Sequence, residues 1–255
     1  SGDELLAAGA MLTPRALVAA AAADRAEVEV WRRSRIAVLA TGDELAAPGE
    51  AARREGTIPE SVSYGVAALA EQWGGQVVAM ARLGDDLRAM ERSAGEMLQL
   101  ADLIVVTGGA SVGEKDFAKP MFVPHGLELI FSKVAMKPGK PVWLGRVGEG
   151  LVLGLPGNPT SAMVTARVLL APLVAGRCGR NGALEWETVP LAGALPACGE
   201  RETFVRARRT AHGALPISNQ DSGAQRALVE ADFLVRSRPH DRAREEGELV
   251  EALAF

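Results

Sequence analysis

The chain has 255 residues, enough for one large domain or two modest ones with proper cores. Its 48% hydrophobic and 24% charged content is that of a folded globular protein, and a net charge of −4 argues against nucleic acid as the main partner. Cys178 and Cys198 form neither a disulfide framework nor a metal-ligand pattern, no apolar run approaches the ~20 residues that span a bilayer, and no signal peptide opens the chain. A cytosolic protein without membrane contact is therefore expected, and any anion site must be local.

Residues 1–33 are alanine-rich, and Thr13-Pro14 reads as the cap and first position of a helix through about residue 23. Residues 27–31 alternate loosely and are expected as a strand. From Arg35 the texture becomes strand, loop and helix. The apolar run 36–40 predicts a buried strand. A helix over 61–73 follows, with Val62, Val66, Leu69, Ala70 and Trp73 on one face and Gly74-Gly75 as its stop. A strand over 76–83 leads to a helix that turns Leu87, Met90, Ala94, Met97 and Leu98 inward. The wholly apolar run 103–106 fits a strand covered on both faces, as in a parallel sheet. Strands over 142–144 and 151–155 come next, then a helix to about residue 175.

Strands alternating with helices imply an α/β fold, a mostly parallel sheet with helices on both faces. After Gly179 the helical signal stops. Short strand-like pieces between turn residues predict a small all-β C-terminal domain, with His212-Gly213 as a hairpin tip. The expected division is a remnant of an N-terminal region over 1–33, the α/β domain over 34–178 and the β domain over 179–255.

Five loops fall at predicted strand ends or edges of the sheet. They are Thr41-Gly42-Asp43-Glu44, Gly84-Asp85-Asp86, the small-residue loop from Thr107 to Asp116, Lys137-Pro138-Gly139-Lys140-Pro141, and Pro156-Gly157-Asn158-Pro159-Thr160-Ser161. Each has a plain structural reading as a turn, a helix cap or solvated charge. Taken alone, Asp85 and Asp86 read as an N-cap pair. Together, the loops sit where parallel sheets bind ligands, beyond the carboxyl ends of their strands. Paired glycines at Gly108-Gly109 let backbone N–H groups approach an anion. Thr160 and Ser161 open a helix whose free N–H groups suit an anion as well. Carboxylates at Glu44, Asp85, Asp86, Glu114 and Asp116 suit Mg²⁺ beside a phosphate. Lys137 and Lys140 on a proline-stiffened hairpin suit a compact oxyanion.

These loops, in this order, resemble the molybdenum-inserting enzymes of molybdenum-cofactor synthesis, the molybdopterin molybdenumtransferases and gephyrin-like E domains. The resemblance spans roughly residues 10 to 250 and is strongest over 35–175. It implies a molybdopterin-binding α/β domain followed by a C-terminal β domain. It also implies cleavage of AMP from adenylylated molybdopterin with Mg²⁺, and insertion of molybdenum from molybdate. The implied roles follow residue by residue. Thr107, Gly108, Gly109 and Ser111 would hold the pterin-side phosphate, and Thr41, Gly42, Gly113, Pro141 and Asn158 would be further cofactor-binding positions. Glu44, Asp85 or Asp86, and Asp116 would position Mg²⁺ or its waters. Lys137, Lys140 and Ser161 would hold molybdate, with Arg206 from the β domain as an extra contact.

Two departures stand out: Glu60-Ser61-Val62 replaces the family's Asp-x-Asn at the start of the helix over 61–73, and Arg226 stands near an expected small hydroxyl residue. The resemblance also implies a homodimer in the full-length protein, contact with molybdopterin adenylyltransferase, and an N-terminal region of which this chain keeps only the end. The alternatives are a non-catalytic scaffold of the gephyrin type and a molybdopterin adenylyltransferase-like or competence-damage-like domain. The latter lacks the lysine hairpin and the β tail.

Overall fold

Two sheets organise the chain in the computed structural model, which describes residues 3–109 and 117–255. In chain order the first strands are β1 (Arg35–Thr41), β2 (Leu45–Ala46), β3 (Ile58–Pro59), β4 (Gln76–Leu83), β5 (Leu103–Thr107), β6 (Glu128–Phe131), β7 (Met136–Lys137), β8 (Trp143–Val147) and β9 (Gly150–Leu155). Helices α1 (Pro14–Ala22), α2 (Val62–Gln72) and α3 (Leu87–Leu100) precede one long helix. It consists of α4 (Pro159–Thr165), a π-helical turn at Ala166–Leu170, and α5 (Ala171–Arg177). The C-terminal part carries β10 (Trp186–Pro190), β11 (Glu202–Thr210), β12 (Gly213–Pro216), the short helix α6 (Gln225–Val229), β13 (Phe233–Ser237) and β14 (Leu249–Ala254).

The first sheet has the order β4-β1-β5-β9-β8-β6 and only β8 runs against the others, so the mostly parallel sheet expected from the sequence is present. The chain passes from β1 outward to β4, then crosses to β5 on the other side of β1. Strand order therefore reverses between β1 and β5, the kind of switch point at which such sheets open a crevice. Both faces are covered, which is why β5 reads as an unbroken apolar run. Ile36, Val38, Leu103 and Val105 meet α2 and the long helix on one side. Ala37, Leu39, Ile104 and Val106 meet α3 and Phe122 on the other. Each fully buried Ile, Leu or Val stabilises the fold by roughly 1.5–3 kcal/mol. The edge strand β4 alternates between exposed and half-buried positions.

The second sheet has the antiparallel order β10-β14-β13-β11-β12 and its own core of Leu195, Val205, Phe233 and Val235. Phe204, Leu234 and Leu253 belong instead to the core of the α/β domain, so the two domains share an apolar seam. Arg167, in the π-helical turn, ties that seam: its Nε donates to the Ala254 carbonyl at 2.7 Å and its guanidinium lies 4.8 Å from the Trp73 ring centre.

Three expectations change. Residues 27–31 carry no strand, and Val28, Val30 and Trp31 are exposed, because alternation without a neighbouring strand gives nothing to pair with. The helix Pro159–Arg177 is long and apolar enough, by length and composition, to cross a bilayer, contrary to the reading that no such run exists. With 61% of its apolar window buried inside the fold, it serves as the core helix. The lysine hairpin, expected beside the α/β sheet, begins in β7, which pairs in parallel with β11 of the second sheet through Met136 with Glu202 and Lys137 with Thr203.

Candidate active site at the strand ends and the domain seam

The ends of β1, β5 and β9 are knit together by backbone. Gly108 has φ +88°, a conformation that favours glycine, and a Cβ there would come within 2.6 Å of the Thr41 carbonyl oxygen. A Cβ at Gly157 would lie 3.2 Å from the Gly108 Cα, so the loop after β9 rests directly on the loop after β5. Thr41 and Thr107 are both buried, and the Thr41 hydroxyl donates to the Thr107 carbonyl at 3.4 Å. These strand ends floor a cavity of about 490 Å³ walled by Glu44, Glu60, Ser61, Asn158 and Gln225. The expected phosphate residues Thr107 and Gly108 thus face an open, concave space, with Gly109 next in the chain. Ser111, Gly113, Glu114 and Asp116 lie outside the described residues.

The carboxylates gather on two neighbouring turns, as β1 and β4 are adjacent and pair Thr41 with Leu83. Asp43 Oδ1 accepts from the Asp85 amide at 2.9 Å, which joins the turns. Asp86 caps α3, its Oδ1 accepting from the Ala89 amide at 3.1 Å. Glu44 lines the cavity and its carboxylate lies where a Cβ on Gly42 would be. Among the described residues no group of three or more His, Cys, Asp or Glu is placed to hold a metal ion. Of the expected set, Glu44, Asp85 and Asp86 stand on these two turns with Asp86 engaged as a cap, and Asp116 lies outside the described residues.

A second cavity of about 920 Å³ opens at the domain seam. Lys137, Lys140, Pro141 and Ser161 form one wall. Phe204, Leu215 and Ile217 of the β domain form an apolar one opposite. Gly139 is buried with φ +107°, and a Cβ there would collide with the Thr165 hydroxyl. That hydroxyl donates to the Ser161 carbonyl at 2.6 Å, so the hairpin is seated on α4. Among the described residues no carboxylate forms an ion pair with Lys137 or Lys140. The start of α4 separates the two cavities: Asn158 and Pro159 line the first and Ser161 lines the second. Asn158 caps the helix by accepting from the Ser161 amide at 3.5 Å.

Arg206 stands elsewhere than its expected role requires. It is 1% exposed, and it does not line the seam cavity. Its Nη2 donates to the carbonyls of Asp221 at 3.0 Å and Asn219 at 3.5 Å, while Nε and Nη1 are buried without a partner. Burial lowers its pKa from the usual guanidinium value, and Asp221 opposes that shift.

The two departures from the family pattern have local explanations. Glu60 is buried and accepts from both the Ser63 amide, at 2.8 Å, and the Ser63 hydroxyl, at 2.5 Å, so it caps α2. Arg226 is exposed and pairs with Glu230 at 2.6 Å. Gln225 and Arg201 line the first and second cavities respectively. No spacing in the sequence marks either, since both reach the site only through the packing of the second domain.

Comparison with known proteins agrees with this architecture. Residues 37–176 match the family described as probable molybdopterin binding domain, and residues 188–255 match the MoeA C-terminal region (domain IV). A molybdopterin molybdenumtransferase of Haemophilus influenzae is 37% identical over 189 residues, covering 74% of this chain and 46% of the relative. One from Synechococcus elongatus is 34% identical over 252 residues, covering 93% of this chain and 62% of the relative. The crystal structure of a molybdopterin biosynthesis MoeA protein from Pyrococcus horikosii superimposes with a TM-score of 0.85 at 27% identity, covering 98% of this chain and 62% of that one. The chain thus spans about half to three fifths of the length of these relatives. With more than half of its residues inside the first family match, the chain belongs to the molybdopterin molybdenumtransferase family.

Proposed function

We propose that this chain carries the ligand-holding part of an enzyme that inserts molybdenum from molybdate into adenylylated molybdopterin, releasing AMP. The observation that supports it is the shared wall: one helix start separates a backbone-floored cavity from a lysine-lined one. Two anions held there would be brought together across the first turn of α4.

In this reading Thr107, Gly108, Gly109 and Ser111 hold the pterin-side phosphate, with Thr41, Gly42, Gly113 and Asn158 shaping its surroundings. Lys137, Lys140 and Ser161, with Pro141 stiffening the hairpin, hold molybdate, which is a substrate. The two lysines lack described ion-pair partners, so their charge is available to an oxyanion. Arg206, whose Nη2 donates to the carbonyl of the lining residue Asp221 and whose Nε and Nη1 are unpaired, would contribute positive field without touching the anion. Fixed charge of this kind is usually the largest catalytic contribution where anions react.

The oxygen donors of the two acidic turns suit Mg²⁺, which binds through one or two carboxylates and completes its shell with water and substrate oxygens. Glu44, Asp85, Asp86 and Asp116 would hold it or its waters, and when bound it would withdraw charge from the pyrophosphate. The chain's own residues orient the two substrates and screen their repulsion.

Titration of adenylylated molybdopterin into the protein with Mg²⁺, with and without molybdate, tests this through pterin fluorescence and AMP release. Tight binding with molybdate-dependent AMP release is the expected result. Binding without release leaves the pterin site and removes the transferase step for this chain. No binding in a folded sample overturns the proposal in favour of a scaffold role.

A further inference from the structure

The second sheet is fastened to the long helix at two places. One is the lysine hairpin, where Gly139 sits against the Thr165 hydroxyl and β7 pairs with β11. The other is Arg167, two residues after Thr165, whose Nε donates to the carbonyl of Ala254 at the end of β14. β14 connects to β11 through β13, so the two fastenings grip different strands of one sheet. The seam cavity opens between that sheet and the helix: Ser161 lines it from α4, and Thr203, Phe204 and Val205 line it from β11.

Arg167 is an odd residue for an apolar seam. It is buried, its Nη1 has no partner, and among the described residues it makes no ion pair. Burying a charge without an acid beside it is costly, so stability alone does not call for a guanidinium here. What the group supplies is reach. It bridges β14 and the ring of Trp73, the residue that closes α2, and it projects from a turn bonded i to i+5, in which the Ala171 amide donates to the Ala166 carbonyl. Such π-helical turns occur mostly singly inside α-helices and often at functional sites. Arg180 shows the contrast. Its guanidinium also lies over Trp73, at 5.4 Å, but its Nη1 donates to the Trp73 carbonyl. Of the two, only Arg167 makes a described hydrogen bond to the second sheet.

We propose that Arg167 is a positioning residue for the seam cavity: by fastening β14 to the long helix it holds the second sheet at the spacing the anion site needs, without touching the anion. Without this fastening the sheet keeps its attachment at the hairpin and pivots about it, so the wall formed by β11 draws away from Ser161. This rests on the reading of that cavity as the molybdate site, and the experiment separates the two. Molybdate alone is titrated calorimetrically into the wild-type chain and into Arg167→Met, Arg167→Lys and Arg180→Met. Adenylylated molybdopterin is titrated into the same folded samples by pterin fluorescence, as a reference for the first cavity.

Molybdate binding is expected to weaken about tenfold in Arg167→Met, which has lost a charge-assisted hydrogen bond, and about threefold in Arg167→Lys, whose compact ammonium replaces the planar fork. Pterin affinity should be retained in both, and Arg180→Met should bind molybdate as the wild type does. Molybdate affinity left intact in Arg167→Met overturns the role of Arg167 while preserving the site. Equal losses of molybdate and pterin affinity, or the same loss in Arg180→Met, reduce Arg167 to general support of the fold and also overturn it. Where Arg167→Met does not fold, Arg167→Lys decides by the same criteria. A wild-type chain that takes up no molybdate overturns both the site and the inference.

Discussion

The two cavities are built in opposite ways. The one at the strand ends is made almost wholly within the α/β domain and largely from main chain: Gly108 against Thr41, Gly157 against Gly108, and buried threonines between them. The one at the seam is made from side chains of two domains, lysines on a hairpin seated on α4 and apolar residues of the second sheet opposite. The first depends on the absence of atoms. The second depends on the docking of two bodies. A backbone-walled site should fail abruptly when a methyl group is added, and a docked site should fail gradually as its support is loosened.

The largest effect is expected at Gly108. Gly108→Val combines an unfavourable φ with a clash against the Thr41 carbonyl, and should cost about 2–3 kcal/mol of stability in urea unfolding. In variants that remain folded it should abolish measurable molybdopterin binding. Molybdate binding at the seam should survive if the two cavities are as independent as their construction implies; its loss would break the comparison.

Gly139→Ala comes next. Its Cβ meets the Thr165 hydroxyl, so the hairpin must lift from α4. Molybdate affinity should fall about tenfold, with less than about 1.5 kcal/mol lost in stability. The double variant Gly139→Ala with Thr165→Ala removes the obstructing hydroxyl and should recover part of the affinity in the same calorimetric titration. No recovery would show that φ, and not the seat on α4, governs the hairpin.

At the far end of the sheet, Asp102 accepts from Arg32 Nη1 at 2.6 Å and from the Arg35 amide at 2.8 Å, and this mainly Arg32-driven pairing holds its carboxyl well below the usual range. A depressed carboxylate contributes stability that is present above its unfolded pKa and lost as pH falls through the folded one. Asp102→Asn should therefore cost about 1–2 kcal/mol at pH 7, with the gap to wild type closing progressively below about pH 4. Both ligand affinities should stay unchanged, which makes this variant a control for stability alone.

The smallest effect is expected for Glu60→Gln. It weakens the cap on α2 by about 0.5–1 kcal/mol and changes one wall of the first cavity. A loss of pterin affinity beyond threefold would show that Glu60 reaches the ligand as well as capping the helix.

The alternation of apolar runs with helical faces announced the α/β domain, because a strand covered on both faces has to be apolar throughout: Leu103 to Val106 reads that way and is buried that way. The glycine loop was legible for a related reason, since main-chain crowding excludes every other residue at Gly108. The expected strand over 27–31 failed because pairing requires a neighbour that local pattern cannot supply. Arg206 and Arg201 show the same limit at the site. Spacing along β11 does not tell which of two arginines is sealed beneath a loop and which opens on a cavity.

The sequence by itself determined most of the element types of the α/β domain, the mainly β character of the C-terminal part and where the candidate loops fall, because these follow from local periodicity and from the conformations that glycine and proline allow. Tertiary structure alone decided that the lysine hairpin joins the second sheet through β7 and β11, and which β-domain side chains reach each cavity. Those outcomes depend on contacts between residues far apart in the chain, here Lys137 with Thr203 and Gly139 with Thr165. Docking fixes such contacts, and no local pattern encodes them.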